Sequence, residues 1–167
     1  MPIRHRAWVT FVFTVLCISA APARAVDGPL LLFGGRNHDE FLGCLNCYRS
    51  EAFSIWNEKS EHGDPAQANS IWNQNGPYGS RKSPLSPWNP RASNPPLVVD
   101  RAGQLYGYLT RNSGHPNQIG YNYAHPKSAD FRMMAWLLEN YDWVVTHLEE
   151  VRVQYDPTRN NPPPSQR

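Results

Sequence analysis

Apolar residues in this chain fall in short clusters broken by Gly, Pro, Asn and Ser, and one stretch near the C-terminus carries a sustained helical period. Leu30-Leu31-Leu32-Phe33, bounded by Pro29 and Gly34-Gly35, has the length and flanks of a buried strand. The polar run Arg36 to Glu40 turns the chain, and Phe41-Leu42-Gly43 is placed to return as a partner strand. Leu97-Val98-Val99 and Gln104 to Thr110 flank Asp100-Arg101-Ala102-Gly103, where Asp opens a turn and Gly takes the positive φ that closes it, so a β-hairpin is predicted. In its second strand Leu105 and Leu109 would share one face, with Tyr106 and Tyr108 on the other. Ser128 and Asp130 signal the start of a helix from Ala129 to Asn140, with Phe131, Met134, Ala135, Leu138, Tyr141 and Val145 at helical spacing. Asp142 could re-cap that helix and carry it to Leu148. Val151, Val153 and Tyr155 alternate, which leaves room for a final strand.

The centre of the chain follows another rhythm. Ser54-Ile55-Trp56-Asn57, Ser70-Ile71-Trp72-Asn73 and Ser86-Pro87-Trp88-Asn89 recur at intervals of 16 residues. Self-similarity at a fixed period predicts one small unit copied along the chain, and such units must stack because none buries its own apolar face. Gly and Pro after each phrase exclude helices, so compact turns with short strand-like pieces are expected. Each Trp is expected to anchor its unit in the core, with Asn57, Asn73 and Asn89 closing the turns that follow. A competing reading places Trp56, Trp72, Trp88, those three Asn and Tyr78 on a binding surface, because aromatic faces and amides suit sugar rings and hydroxyls. The elements together predict an α+β fold: short strands and a β-hairpin, turn-rich 16-residue Trp-Asn repeats, and one main C-terminal helix.

Composition changes the picture mainly at the N-terminus. Arg4-His5-Arg6, the apolar run Ala7 to Ala20 and the small-x-small triplet Ala23-Arg24-Ala25 have the order of a secretory signal, so residues 1–25 are expected to be removed on export. The apolar run is shorter than the roughly 20 residues that span a bilayer, so no stable membrane anchor is expected. Of the 16 Lys and Arg, Arg4, Arg6 and Arg24 leave with the signal, so 13 remain against 14 Asp and Glu, a net charge of −1. Nucleic-acid binding would call for a basic excess or stripe, and none is indicated. Residues 26–155 then form one domain, with residues 156–167 a disordered Pro-rich tail.

Two cysteines remain, Cys44 and Cys47, in a CxxC. A c-type haem site would need His after the second Cys, where Tyr48 stands. A zinc site would draw on His38, Asp39, His62 and Asp64, and a thioredoxin-like site would need a helix after Cys47, where none is predicted. In an oxidising compartment a disulfide across a tight turn is expected, without a cofactor. His147, at a helix end, is expected to serve as a partner for the helix dipole.

Several of these segments together point to a resemblance. The ordered set is Phe33-Gly34-Gly35 with His38-Asp39, Leu42-Gly43-Cys44-Leu45-Asn46-Cys47, the Ser-Ile-Trp-Asn phrases with Tyr78-Gly79-Ser80, and Asn94-Pro95-Pro96 before Val99-Asp100 and Tyr106-Gly107-Tyr108. Over roughly residues 30 to 145 it resembles small exported bacterial proteins of uncharacterised function, in which similar segments sometimes accompany secreted nuclease domains. The resemblance supplies no catalytic residues. The first unit departs from it, with Glu61-His62-Gly63-Asp64 where Tyr-Gly-Ser is expected.

The expected function is a periplasmic or secreted, non-catalytic binding or structural module of unknown ligand, for which a glycan or cell-envelope component is a candidate. The alternatives are a metal- or thiol-dependent exported enzyme using the His38/Asp39 loop and the CxxC, and, from the resemblance, accessory action beside a secreted nuclease. No Ser-His-Asp, paired-carboxylate or phosphate-loop pattern assigns a reaction class.

Overall fold

The computed structural model describes residues 28–119 and 129–155; the expected signal segment, the expected Ser128 cap and the expected tail from Asp156 lie outside them. The element order is β1 (Leu31–Gly34), β2 (Glu40–Cys44), β3 (Leu97–Val99), β4 (Leu105–Tyr108), α1 (Ala129–Thr146) and α2 (Leu148–Gln154). The strands make one antiparallel sheet in the order β2-β1-β3-β4, so the fold is α+β as the pattern predicts. Period-2 burial turns Leu32, Leu42 and Val98 into the core while Leu31, Phe33, Leu97 and Val99 are half-buried.

The sheet departs from simple alternation at two places. The register shifts between Leu32 and Phe33 where β1 meets β2, and between Val98 and Val99 where β3 meets β4. An extra residue in one strand changes which side chains share a face. Leu105 is therefore exposed and Leu109 fully buried, so the expected common face for these two is corrected.

Residues 51–92 contain no strand or helix, and the strand-like pieces expected there are replaced by chained turns. The amide of Ser54 bonds Glu51 O, Asn57 bonds Ser54 O and Ser60 bonds Asn57 O, each closing a three-residue step. One four-residue step follows, from Asp64 N to Ser60 O, and its counterpart from Ser80 N to Gly76 O comes 16 residues later. Four steps of three and one of four thus make up each interval.

The Ser-x-Trp-Asn phrase is what closes these turns. The Trp N–H donates to the Oγ of Ser54, Ser70 or Ser86, at 3.2 Å each time. Asn57, Asn73 and Asn89 donate through Nδ2 to the carbonyls of Glu51, Gln67 and Ser83, and accept through Oδ1 from the amides of Lys59, Asn75 and Arg91. Short polar side chains satisfy main-chain groups that a ladder would otherwise pair. Gly63 and Gly79 mark the tightest passages: a Cβ at either would lie 2.0 or 2.1 Å from the carbonyl oxygen of Asn57 or Asn73.

Trp56, Trp72 and Trp88 are 0%, 1% and 0% exposed. Their rings follow one another at 5.4 and 5.7 Å between centroids. The Nε1–H of Trp72 donates to Ile55 O and that of Trp88 to Ile71 O, both at 2.6 Å, so each ring is tied to the backbone one interval earlier. The first ring, Trp56, donates instead to Leu45 O.

The helices close this column. Tyr141 of α1 stacks on Trp88 at 4.3 Å and 12°, and Tyr155, just past α2, covers Trp56 at 4.5 Å. The backbone of α1 is non-helical at Asn140 (φ −108°, ψ 17°), where the sequence places the helix end, but the helix resumes and reaches Thr146. The strand considered for Val151 to Tyr155 is corrected to helix α2. Leu148 and Val151, three apart, are buried, Val153 is exposed, and Glu149 and Glu150 occupy the favourable first turn. Arg152, buried in α2, donates to Gly63 O and pairs with Glu149, fastening α2 to the turns.

Candidate functional site

A polar face is assembled where the β1–β2 loop meets the segments before β3 and after β4. Gly35 (φ +85°) and His38 (φ 54°) bend the loop into a turn closed by the His38 amide on Gly35 O. Left-handed backbone at a non-glycine residue is uncommon, and neighbouring segments hold it here. Asn94 Nδ2 donates to Gly35 O at 2.7 Å, and the His38 ring Nε2–H donates to Pro95 O at 3.0 Å. His38 meets the ring of Tyr108 edge-on at 5.5 Å, and His115 meets the same ring at 4.6 Å.

Asn117 (φ 60°) is the second non-glycine residue with positive φ among those described, and its carbonyl accepts from the Tyr108 amide. The two left-handed non-glycine residues therefore flank one tyrosine. Beside them, buried Gln118 donates to Thr110 O while its Oε1 has no hydrogen-bond partner. All three rings of this group are half-buried. They offer ring faces and hydrogen-bonding edges, a combination suited to a polar cyclic ligand.

The predicted site residues are dispersed relative to this face. Trp56, Trp72 and Trp88 spend their ring faces on one another and on Tyr141 and Tyr155, so no indole face is open to a ligand. Asn57, Asn73 and Asn89 use both amide atoms in turns. Tyr78 is buried with its hydroxyl on Glu40 at 2.5 Å; burial and then that carboxylate push its pKa well above the ordinary tyrosine range. Burial likewise pushes Tyr141 up to about 12.

Cys44 and Cys47 are bonded to each other, with Cα atoms 5.5 Å apart. Asn46 between them accepts from the Leu30 amide and donates to Gly28 O, so the turn is anchored to the start of β1. Asp64 caps its own turn by accepting from the Ala66 amide and Gln67. Among the described residues no three His, Cys, Asp or Glu side chains converge to hold a metal ion. His147 lies at the α1–α2 junction, its ring on Trp143 O and stacked on Trp143 at 4.7 Å.

Sequence reasoning missed His115, Asn117 and Gln118 as neighbours of His38. No local pattern marks them, because only sheet pairing and the bridge between Tyr108 and Gln118 bring them together. No helix among the described residues is long and apolar enough to cross a membrane. Compared with known protein families, curated proteins and solved structures, the chain finds no match.

Proposed function

We propose that this protein is an exported, non-catalytic binding or structural module in which the three 16-residue segments are copies of one unit and serve as the scaffold. The observation that carries this reading is the complete enclosure of the three indoles between two tyrosines. Side chains used this way supply core area and are lost to recognition. The Cys44–Cys47 disulfide supports an oxidising location, and the order of residues 1–25 supports export. Recognition then falls to the polar face around Tyr108, and a glycan or cell-envelope component is the partner its ring and amide chemistry suits.

The test pairs two variants in a cell-envelope glycan binding assay. Tyr108→Ala should weaken binding with little change in thermal stability, whereas Trp72→Ala should lower stability. A Tyr108→Ala protein that binds as wild type removes the face from the proposal. A Trp72→Ala protein of unchanged stability that no longer binds returns recognition to the indoles.

A further inference from the structure

The first of the three units departs from the second at a position where a histidine is buried. His62-Gly63-Asp64 precedes Tyr78-Gly79-Ser80 by 16 residues. The backbone treats the two alike: both glycines press on an Asn carbonyl, and both third residues close the four-residue step. The side chains end differently. The Tyr78 hydroxyl finds Glu40, whereas His62, 9% exposed, leaves Nδ1 without a hydrogen-bond partner.

His62 sits against the edge strand of the sheet. Its ring meets Phe41 edge-on at 4.9 Å. Gly43 (φ +112°) lies so close that a Cβ there would fall 2.8 Å from the His62 Cβ. On the β2 side the contact is therefore made of an aromatic edge and backbone, with no charged partner for Nδ1, and the same turns hold the end of β2 through the Cys44 amide on Phe53 O and the Ile55 amide on Cys44 O.

We infer that His62 is an acid-sensitive latch between the turns and β2: neutral it packs where Tyr78 packs in the next interval, and protonated it releases the edge strand. The charges around it are few. Glu61, its chain neighbour, favours protonation. From α2 Arg152 reaches the same turn, where it is bonded to Gly63 O and paired with Glu149, and Asp64, two residues on, is engaged by the Ala66 amide and Gln67. From β2, Phe41 and Gly43 bring no charge, and Glu40 is engaged by Tyr78. Burial outweighs Glu61 and holds the imidazole below its ordinary range.

The sign follows. A group whose folded pKa is depressed for a base is refused a proton that the opened chain accepts, so stability is whole above the ordinary histidine value of about 6.5 and is lost as pH falls below it. Opening the His62–β2 contact alone admits the proton, and edge elements open at lower cost than cores. Since β2 carries Glu40 and leads back to the His38 loop, acid would loosen the loop that borders the Tyr108 face.

The experiment is a histidine-resolved NMR titration of the purified protein, with amide hydrogen exchange of β2, for wild type, His62→Tyr and His62→Phe. The expected result is a His62 titration below about 6.5. Exchange at Phe41 to Gly43, corrected for intrinsic pH dependence, should be about tenfold faster near pH 5 than near pH 7.5 in wild type and unchanged in both variants. His62 titrating at or above the ordinary value overturns the latch, as does a folded His62→Tyr protein that keeps the wild-type pH dependence. Should both variants misfold, the wild-type titration and exchange decide alone.

Discussion

The chained turns and the sheet solve the same problem by opposite means. In the turns, backbone groups are met within a few residues and by Ser and Asn side chains, so no partner strand is required and order rests on three indoles in the middle. In the sheet, strands of three to five residues pair in two local hairpins that are joined only by the distant β1–β3 ladder, and the core contribution is aliphatic and shared among Leu32, Leu42 and Val98. The difference teaches where energy is concentrated. A structure without ladders places its stability in a few large side chains, while a paired sheet spreads it over many small ones.

The strongest way to break that contrast is Trp72→Ala. Removal of the middle ring should cost about 3 to 5 kcal/mol in denaturant unfolding, against less than half of that for Phe33→Ala at a half-buried strand position. Equal losses would dissolve the distinction. Gly79→Ala tests the closeness of the turns, because its methyl would collide with the Asn73 carbonyl, which is backbone and cannot swing away. The expected loss is about 3 kcal/mol, read from the thermal midpoint.

Reducing the Cys44–Cys47 bond closes the middle of the range. The loop is short, so chain entropy predicts a loss of only about 2 kcal/mol, and a reduced protein should still unfold in one cooperative step. Asn73→Ala removes one donor and one acceptor from a turn and should cost about 1 kcal/mol, with Asn57→Ala adding nearly independently.

The smallest effect is electrostatic. Hydrogen bonding from Arg49 holds Glu58 at about 2, and a depressed carboxylate contributes stability that is present above its ordinary pKa and lost as pH falls through the folded value. The pair is over a third exposed at Glu58, so solvent limits its worth to under about 1 kcal/mol. In Arg49→Ala, NMR should show the Glu58 pKa rising toward the ordinary glutamate range.

How much of this was legible depends on the range of the interactions. The period of 16 exposed the indole column and the Asn turns, because both depend on side chains at fixed offsets. The β1–β2 and β3–β4 pairs were legible from short apolar runs with Gly and Asp between them. The bulges at Leu32/Phe33 and Val98/Val99 were not, since an extra residue leaves no mark on hydrophobicity, and they reversed the expectation for Leu105. Val151 to Tyr155 misled for a related reason: three apolar residues at spacing two fit a strand, and only packing against Gly63 and Trp56 shows the helix. The polar face is assembled by contacts between residues 57 and 59 positions apart, such as His38 with Pro95 and Asn94 with Gly35. Local pattern cannot reveal those.

The two tyrosines at the ends of the indole column bear on how the chain folds. Tyr155 reaches back 110 residues to bond Leu45 O, and Tyr141 reaches 62 to bond Gly79 O. A chain emerging N-terminus first can form its chained turns early, since their bonds are local, but both outer indole faces stay wet until the last helices are made. A ribosome-stalled chain ending before Tyr141 would therefore present an aromatic column open at both ends. The Trp88 end is covered once Tyr141 of α1 is in place, and the Trp56 end only when Tyr155, past α2, has been made.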